Sequence, residues 1–245
     1  SMGKKGSELA KSEASLILVD DDLTHMVDAV AMGRKIYENL KKAVQYIISI
    51  HIPIILIVTL PLVFFWKFTE IFSPVHVIFL ELIMGPTCSI IYENEPIEAN
   101  SMQRAPRKMS STFLSFNELS ISIIQGLAIT AACLLLGYDT LNKTNDETLT
   151  RTVIFSTLIF SNLFLTLINR SFYFSVFTTL KYKNKLLPYV LVISLIILFM
   201  AIYAAPVSEI FGFKPLSIGY VLLSLIAAFA GTFWMEFWKA KKRSN

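Results

Sequence analysis

Long stretches without a charged residue alternate with short polar connections along most of this chain. A bilayer core of roughly 30 Å is crossed by about 20 mostly apolar helical residues. Six stretches fit that demand, at 44–66, 75–92, 119–138, 152–171, 186–207 and 216–235. The fourth is marginal in its apolar part and spans if it is tilted. All six are continuously apolar rather than alternating, which excludes a transmembrane β-barrel. Only His51 and two prolines interrupt the first, whereas the second contains Glu81, Gly85 and Pro86. The last closes on Trp234, Glu236, Trp238 and Lys239, an aromatic and basic border suited to a membrane interface.

Residues 1–43 break this pattern. Ala14 to Val19 is short, apolar and rich in β-formers, and is expected as one buried strand ending at Asp20, Asp21 and Asp22. A helix is expected from Leu23, with Asp22 or Thr24 as its N-cap. Met26, Val27, Val30, Ile36, Tyr37 and Leu40 form an amphipathic stripe, and no proline intervenes before Pro53. The helix is therefore expected to run into the first span as one rod of about 40 residues, about 60 Å long. One strand and one stalk helix cannot bury a core alone. The head is thus expected to dock on a partner or to be part of a larger domain. Three adjacent aspartates invite a magnesium-site reading, but a strand-end turn followed by a helix cap accounts for them more simply.

Composition sharpens the membrane reading. Of 245 residues, 54% are hydrophobic and 16% charged, against about 25% charged in soluble domains, so an ordinary soluble enzyme is excluded. Cys88 and Cys133 sit in apolar runs and read as small core residues. His25, His51 and His76 lack zinc-site spacing. The formal charge of +4 matters less than its distribution. Seven Lys and Arg precede the first span, three follow the second (Arg104, Arg107, Lys108), four follow the fourth and four lie in the tail. The opposite connections hold Lys67, Lys143, Arg151 and Lys214. By the positive-inside rule both termini are expected in the cytoplasm. The expected fold is an all-α polytopic membrane protein of six helices with a short α/β remnant at its N-terminus. His76 is expected at the outer interface, and Tyr92 to Glu95 as a solvated turn on the inner side.

Specific motifs then carry a family resemblance. Met2-Gly-Lys-Lys-Gly-Ser-Glu-Leu-Ala-Lys-Ser-Glu-Ala, followed by an apolar run ending in Asp-Asp, resembles the end of the phosphorylation domain of P-type cation-transporting ATPases. Gly33-Arg-Lys-Ile-Tyr-Glu-Asn39, followed by Lys41 and the run Tyr46-Ile-Ile-Ser49, resembles the stalk and fifth transmembrane helix of their calcium-ATPase-like branch. Arg104-Ala-Pro-Arg107 resembles the loop after the family's sixth helix, and Asn169-Arg-Ser171 the end of its eighth in bacterial members. The resemblance implies a C-terminal portion of a pump: 1–23 as the end of the phosphorylation domain, 24–43 as stalk, 44–238 as the last six of ten transmembrane helices and 239–245 as a basic tail. It also implies ATP and magnesium as needs of the full-length pump, while this chain carries neither the Asp-Lys-Thr-Gly-Thr segment nor a nucleotide domain. No catalysis by this chain alone and no cofactor within it are expected. The implied partners are the bilayer, the transported cation, the cytoplasmic domains and the first four transmembrane helices; nucleic acid is not among them. The implied location is a bacterial inner membrane.

The resemblance also locates ion-site candidates. Where the family's fifth helix carries Asn and Glu, this chain has His51 and the apolar Ile54. Where the sixth carries Asn, Thr and Asp, it has Glu81, Met84 and Gly85, and the eighth helix's Glu is matched by Asn162, beside Ser161. Calcium takes six to eight oxygen ligands, so the loss of these donors favours a proton or a monovalent ion. A carboxylate within a span is a functional-site signal in its own right, which singles out Glu81, with His51 as its neighbour on the adjacent helix. Pro53 and Gly85-Pro86 are expected to break their helices and free carbonyls at similar depth, although a simple packing kink is an equal alternative. Two other function classes fit the sequence: a standalone proton-coupled transporter or channel, and a non-catalytic membrane remnant that binds partner chains.

Overall fold

The computed structural model describes residues 1–68, 70–106 and 112–244, apart from the side chains of 88 and 89; Arg107, Lys108 and the side chain of Cys88 fall outside that range. The chain divides into two units, Ser1–Asn39 with Pro96–Ser111 and Leu40–Glu95 with Thr112–Asn245. The described residues are helical wherever they are regular, and no β-sheet occurs among them.

In the first unit, α1 (Glu8–Glu13) is capped by Ser7, whose hydroxyl accepts the Ala10 amide. The expected buried strand at Ala14 to Val19 is corrected. Its one ladder contact among the described residues is a single bridge from Leu18 to Met2, and Leu16, Ile17 and Val19 are exposed. A strand persists through its pairing partners, and one bridge does not supply a ladder. The three aspartates act locally. Asp21, at φ 60°, accepts the amides of Lys4 and Lys5, and these bonds, that of Lys4 first, hold its carboxyl below the usual range. Asp22 accepts the amide of Thr24, the first residue of α2 (Thr24–Val63). Arg34 on α2 donates to the carbonyls of Ser101 and Arg104 at 2.6 and 2.8 Å. Glu38 accepts from Ser101 Oγ and Arg104 Nη1, both at 3.1 Å, so the loop after residue 96 is tied to the helix.

In the second unit, α2 continues through Pro53 and Pro61 without a break, correcting the expected interruption at Pro53. Proline removes one amide, but apolar flanks and neighbouring helices hold such a helix together in a membrane protein. Just past its end at Val63, Phe65 takes φ 51° while the Trp66 amide reaches the Pro61 carbonyl, the closure of a Schellman turn. α3 (Pro74–Pro86) passes directly into a π-helical stretch, Thr87–Tyr92. Two long helices follow, α4 (Phe116–Thr144) and α5 (Glu147–Ile168), joined by the left-handed Asn145 and the N-cap Asp146. After the single turn α6 (Val176–Thr179), α7 (Leu187–Tyr203) and α8 (Ala205–Phe211) meet at an 85° bend, and α9 (Ile218–Ser244) closes the unit. The bend falls at the extended Ala204 (ψ 109°), and Pro206 follows in the first turn of α8, where it has no amide to continue the α7 ladder.

α5 is the most enclosed helix and packs on α4 and α9. Small residues set these approaches: a Cβ on Gly126 would stand 2.7 Å from Ile52 Cβ on α2, and one on Gly231 3.1 Å from Ala132 on α4. Such small-residue seams are the usual means of bringing membrane helices together. Five described helices are long and apolar enough to cross a bilayer, six if the bent α7–α8 pair is one crossing. The molecule is a polytopic helical membrane protein.

Candidate functional site

α2 and α3 bring two of the sequence candidates into contact. Nε2 of His51 lies 3.0 Å from Oε1 of Glu81, and Nδ1 of His51 lies 2.8 Å from the Ile47 carbonyl one turn earlier. A carbonyl only accepts, so Nδ1 carries a hydrogen and Nε2 is the atom facing the carboxyl. One proton then lies between Nε2 and Oε1. Placed on nitrogen it makes an imidazolium–carboxylate pair, and placed on oxygen an imidazole–carboxylic acid pair. The total charge is zero either way. The two side chains are 42% and 48% exposed, on a face shared with the exposed Ile47, Ile55, Ile78 and Leu82. Spacings of three and four residues along each helix put these positions on one stripe.

The remaining candidates are placed differently. Gly85 is on the open face, with nothing within 4 Å of where a Cβ would stand. Pro53 is buried, and the Ser49 carbonyl deprived of its amide is 2.9 Å from the Cβ position of Gly126. That carbonyl therefore faces α4 rather than joining Glu81. Asn162 is 3% exposed within α5, and neither atom of its amide has a hydrogen-bond partner among the described residues. No cluster of three or more His, Cys, Asp or Glu side chains suited to a metal ion occurs among the described residues.

Several buried polar groups carry other roles. Glu95, expected in a solvated turn, is 1% exposed; its Oε1 accepts from Arg170 Nε and from Asn184 Nδ2, each at 2.8 Å. Asn184 Nδ2 also reaches the Ile91 carbonyl at 3.0 Å. Burial of such a pair is tolerated only where neighbouring groups support the charges; here Asn184 supports the carboxylate at Oε1, and the Tyr182 carbonyl accepts from Arg170 Nη2 at 3.4 Å. Gln125 and Asn169 exchange amide hydrogen bonds at 2.9 and 3.2 Å, and Ser49 Oγ joins them at 3.1 Å. Lys239 on α9 donates to the Ile168 carbonyl and to Glu236, whose other oxygen accepts the Val176 amide. Charge signs alone held one clue: Glu95 and Arg170 each follow the end of an apolar run on the same side of the charge count. At the opposite ends of these helices, Asp146 binds Lys214 Nζ at 2.6 Å. The Lys214 ammonium, then the Leu149 amide and the Thr148 hydroxyl, hold its carboxyl well below the usual range.

Comparison with known proteins supplies the family. Residues 69–240 match the model described as "Cation transporting ATPase, C-terminus". "Calcium-transporting ATPase 1" of Bacillus cereus is 28% identical over 240 residues, which cover 91% of this chain and 27% of that protein. "Calcium-transporting ATPase 1" of Lactococcus lactis is 29% identical over 133 residues, 54% of this chain and 15% of that protein. "Calcium-transporting ATPase type 2C member 1" of Homo sapiens is 25% identical over 218 residues, 89% of this chain and 23% of that protein. The chain spans about a quarter, or less, of the length of these relatives. A match over more than half of the residues, on a polytopic helical bundle with an acidic side chain in its second span, places this chain in the cation-transporting ATPase C-terminus family, as the membrane part of a P-type cation pump.

Proposed function

We propose that this chain forms the last six transmembrane helices of an ATP-driven pump, with the α7–α8 pair as one span and both termini in the cytoplasm of a bacterial cell. In this reading, the N-terminal part of α2 is the stalk that transmits phosphorylation-driven movement, and residues 1–23 belong to the phosphorylation domain. ATP and magnesium serve the cytoplasmic domains of the full-length pump, and its first four transmembrane helices cover the open face of α2 and α3. The transported ion meets Glu81.

The observation that carries the ion reading is the one-proton pair of His51 and Glu81. A monovalent cation arriving at the carboxylate replaces the charge of the shared proton without adding net charge to the membrane. Divalent calcium would leave one positive charge uncompensated at a site with a single carboxylate, and a bare charge in a bilayer is costly. A proton or monovalent ion is therefore the favoured cargo. Calcium is the second reading, supported by the names of the relatives and by the unpaired Asn162 amide, an oxygen donor of the type calcium accepts.

The full-length pump in sealed vesicles decides between them. Glu81→Gln should abolish ion-stimulated ATP turnover while the protein still inserts and folds, and His51→Ala should change the pH dependence of turnover. Calcium stimulation at micromolar concentration that survives Glu81→Gln, but not Asn162→Ala, would overturn the monovalent reading in favour of the second. Cysteine labelling near Lys143 and Lys214 from outside, and near Lys183 from inside, tests the arrangement of spans.

A further inference from the structure

His76 opens α3 five residues before Glu81, and its ring is enclosed by protein rather than turned outward. It is 3% exposed. Phe72 stacks on its ring at 5.6 Å, with Phe213, Phe211 and Phe155 edge-on at 5.1, 5.7 and 6.1 Å. Both ring nitrogens are committed. Nε2 is 2.8 Å from the Phe211 carbonyl at the end of α8, so it carries a hydrogen. Nδ1 accepts the backbone amide of Ser73 at 3.1 Å. At the third position of the helix the ring fills the role that Glu or Gln plays in a capping box.

An amide N–H cannot turn round as a hydroxyl can. A proton on Nδ1 would face the donor amide of Ser73, so that bond is made only by the neutral Nε2–H tautomer. A path for that proton is also present: Ser73 is exposed, and its hydroxyl lies 2.8 Å from Nδ1. The charged groups on the surrounding elements have partners or positions of their own. Arg151 on α5 donates to the carbonyls of Glu70, Ile71 and Gly212, so the adjacent carbonyls of Phe211 and Gly212 are held by His76 and Arg151 respectively. Asp146 and Lys214 bind each other; Glu147 is on α5, Glu209 is on α8, and Glu70 precedes α3. The ring's own partners are a carbonyl, an amide and a hydroxyl, none of which compensates a positive charge.

We propose that His76 is a regulatory proton site. With a neutral ring it staples the start of α3 to the end of α8. One proton taken from solvent at Nδ1, by way of the Ser73 hydroxyl, releases the Ser73 amide and loosens that end of the helix. The inference is independent of the ion-site reading, since it invokes neither His51 nor Glu81.

Thermal unfolding of the full chain in lipid nanodiscs, from pH 8 to pH 5, tests it with wild type, His76→Gln, His51→Gln and His25→Gln. Glutamine supplies both an acceptor and a donor but does not titrate. The wild-type melting temperature should fall by about 3 °C for each pH unit below about 6.5, the ordinary range of imidazole. His76→Gln should remove that fall and keep the melting temperature at pH 8, and the other two variants should retain the fall. The same fall in His76→Gln overturns the proposal. Should His76→Gln not fold, the imidazole nitrogen NMR spectrum of the His25→Gln/His51→Gln double variant decides, because one of the three histidines remains. A neutral Nε2–H ring at pH 7 upholds the assignment, and an Nδ1–H ring or a charged one overturns it.

Discussion

Two acid–base pairs lie in the same unit and differ in almost every physical respect. Glu95 and Arg170 are each 1% exposed, and Asn184 shares the carboxylate oxygen that Arg170 holds. Glu81 and His51 are nearly half exposed, on an apolar face, with one contact between them and one to a carbonyl. The first pair ties the end of one span to the end of another and draws support from Asn184 and the Tyr182 carbonyl. The second has capacity left over for a ligand. In the function proposed above, the enclosed pair is the structural one and the open pair is the one that meets the ion.

Disrupting the buried pair should have the largest effect on stability. Arg170→Met would leave Glu95 enclosed without its guanidinium and should cost about 3–5 kcal/mol, read as a collapse of the thermal transition in detergent. Adding Glu95→Leu should recover much of the loss, because an apolar pair of similar volume carries no uncompensated charge. If Arg170→Met unfolds no more easily than wild type, the contrast with the open pair fails.

Packing comes next. Gly126→Leu would push a side chain into Ile52 and the Ser49 carbonyl, and should cost about 1–3 kcal/mol by overpacking. It asks whether α2 is held on its α4 side rather than through His51. Glu81→Gln and His51→Ala should each change unfolding by less than Arg170→Met does, because the pair makes only two polar contacts and is not enclosed by protein. A loss as large as that of Arg170→Met would make the open pair structural as well.

The smallest effect belongs to Asp146 and Lys214, whose side chains are 24% and 55% exposed. Lys214→Met should cost about 0.5 kcal/mol at neutral pH. Because Asp146 has its carboxyl held low, the contribution is constant above the ordinary carboxylate range and is lost as pH falls below about 3.9 towards stronger acid. Wild-type and variant melting curves should converge there.

The spans themselves were legible from uninterrupted apolar runs, because a bilayer enforces length and hydropathy together. The meeting of His51 with Glu81 was legible only through the resemblance, which set them at matching depth on neighbouring helices. Glu95 looked like a surface turn because its partners are 75 and 89 residues away, and a charge beside a membrane edge is usually solvated. The burial of His76 was hidden for the same reason: Phe155, Phe211 and Phe213, distant in sequence, enclose it. The apolar run at Ala14 to Val19 had the composition of a strand, but composition does not provide a neighbour to pair with.

The π-helical stretch Thr87–Tyr92 explains how one span presents different faces at its two ends. Tyr92 comes 11 residues after Glu81, about three turns of an α-helix. In a uniform helix it would stand in line with Glu81 and Gly85 and share the open face. Instead Glu81 and Gly85 are exposed, whereas Tyr92 is buried. Each i→i+5 turn is wider than an α-turn, so the stretch retards the angular phase of everything after it. The helix is split into two sectors that address different neighbours: the first turns its carboxyl towards the open face, and the second turns Tyr92 inward, its ring 5.3 Å from that of Tyr46 on α2. Deleting one residue between Thr87 and Tyr92 would restore the phase and swing Tyr92 out towards the open face.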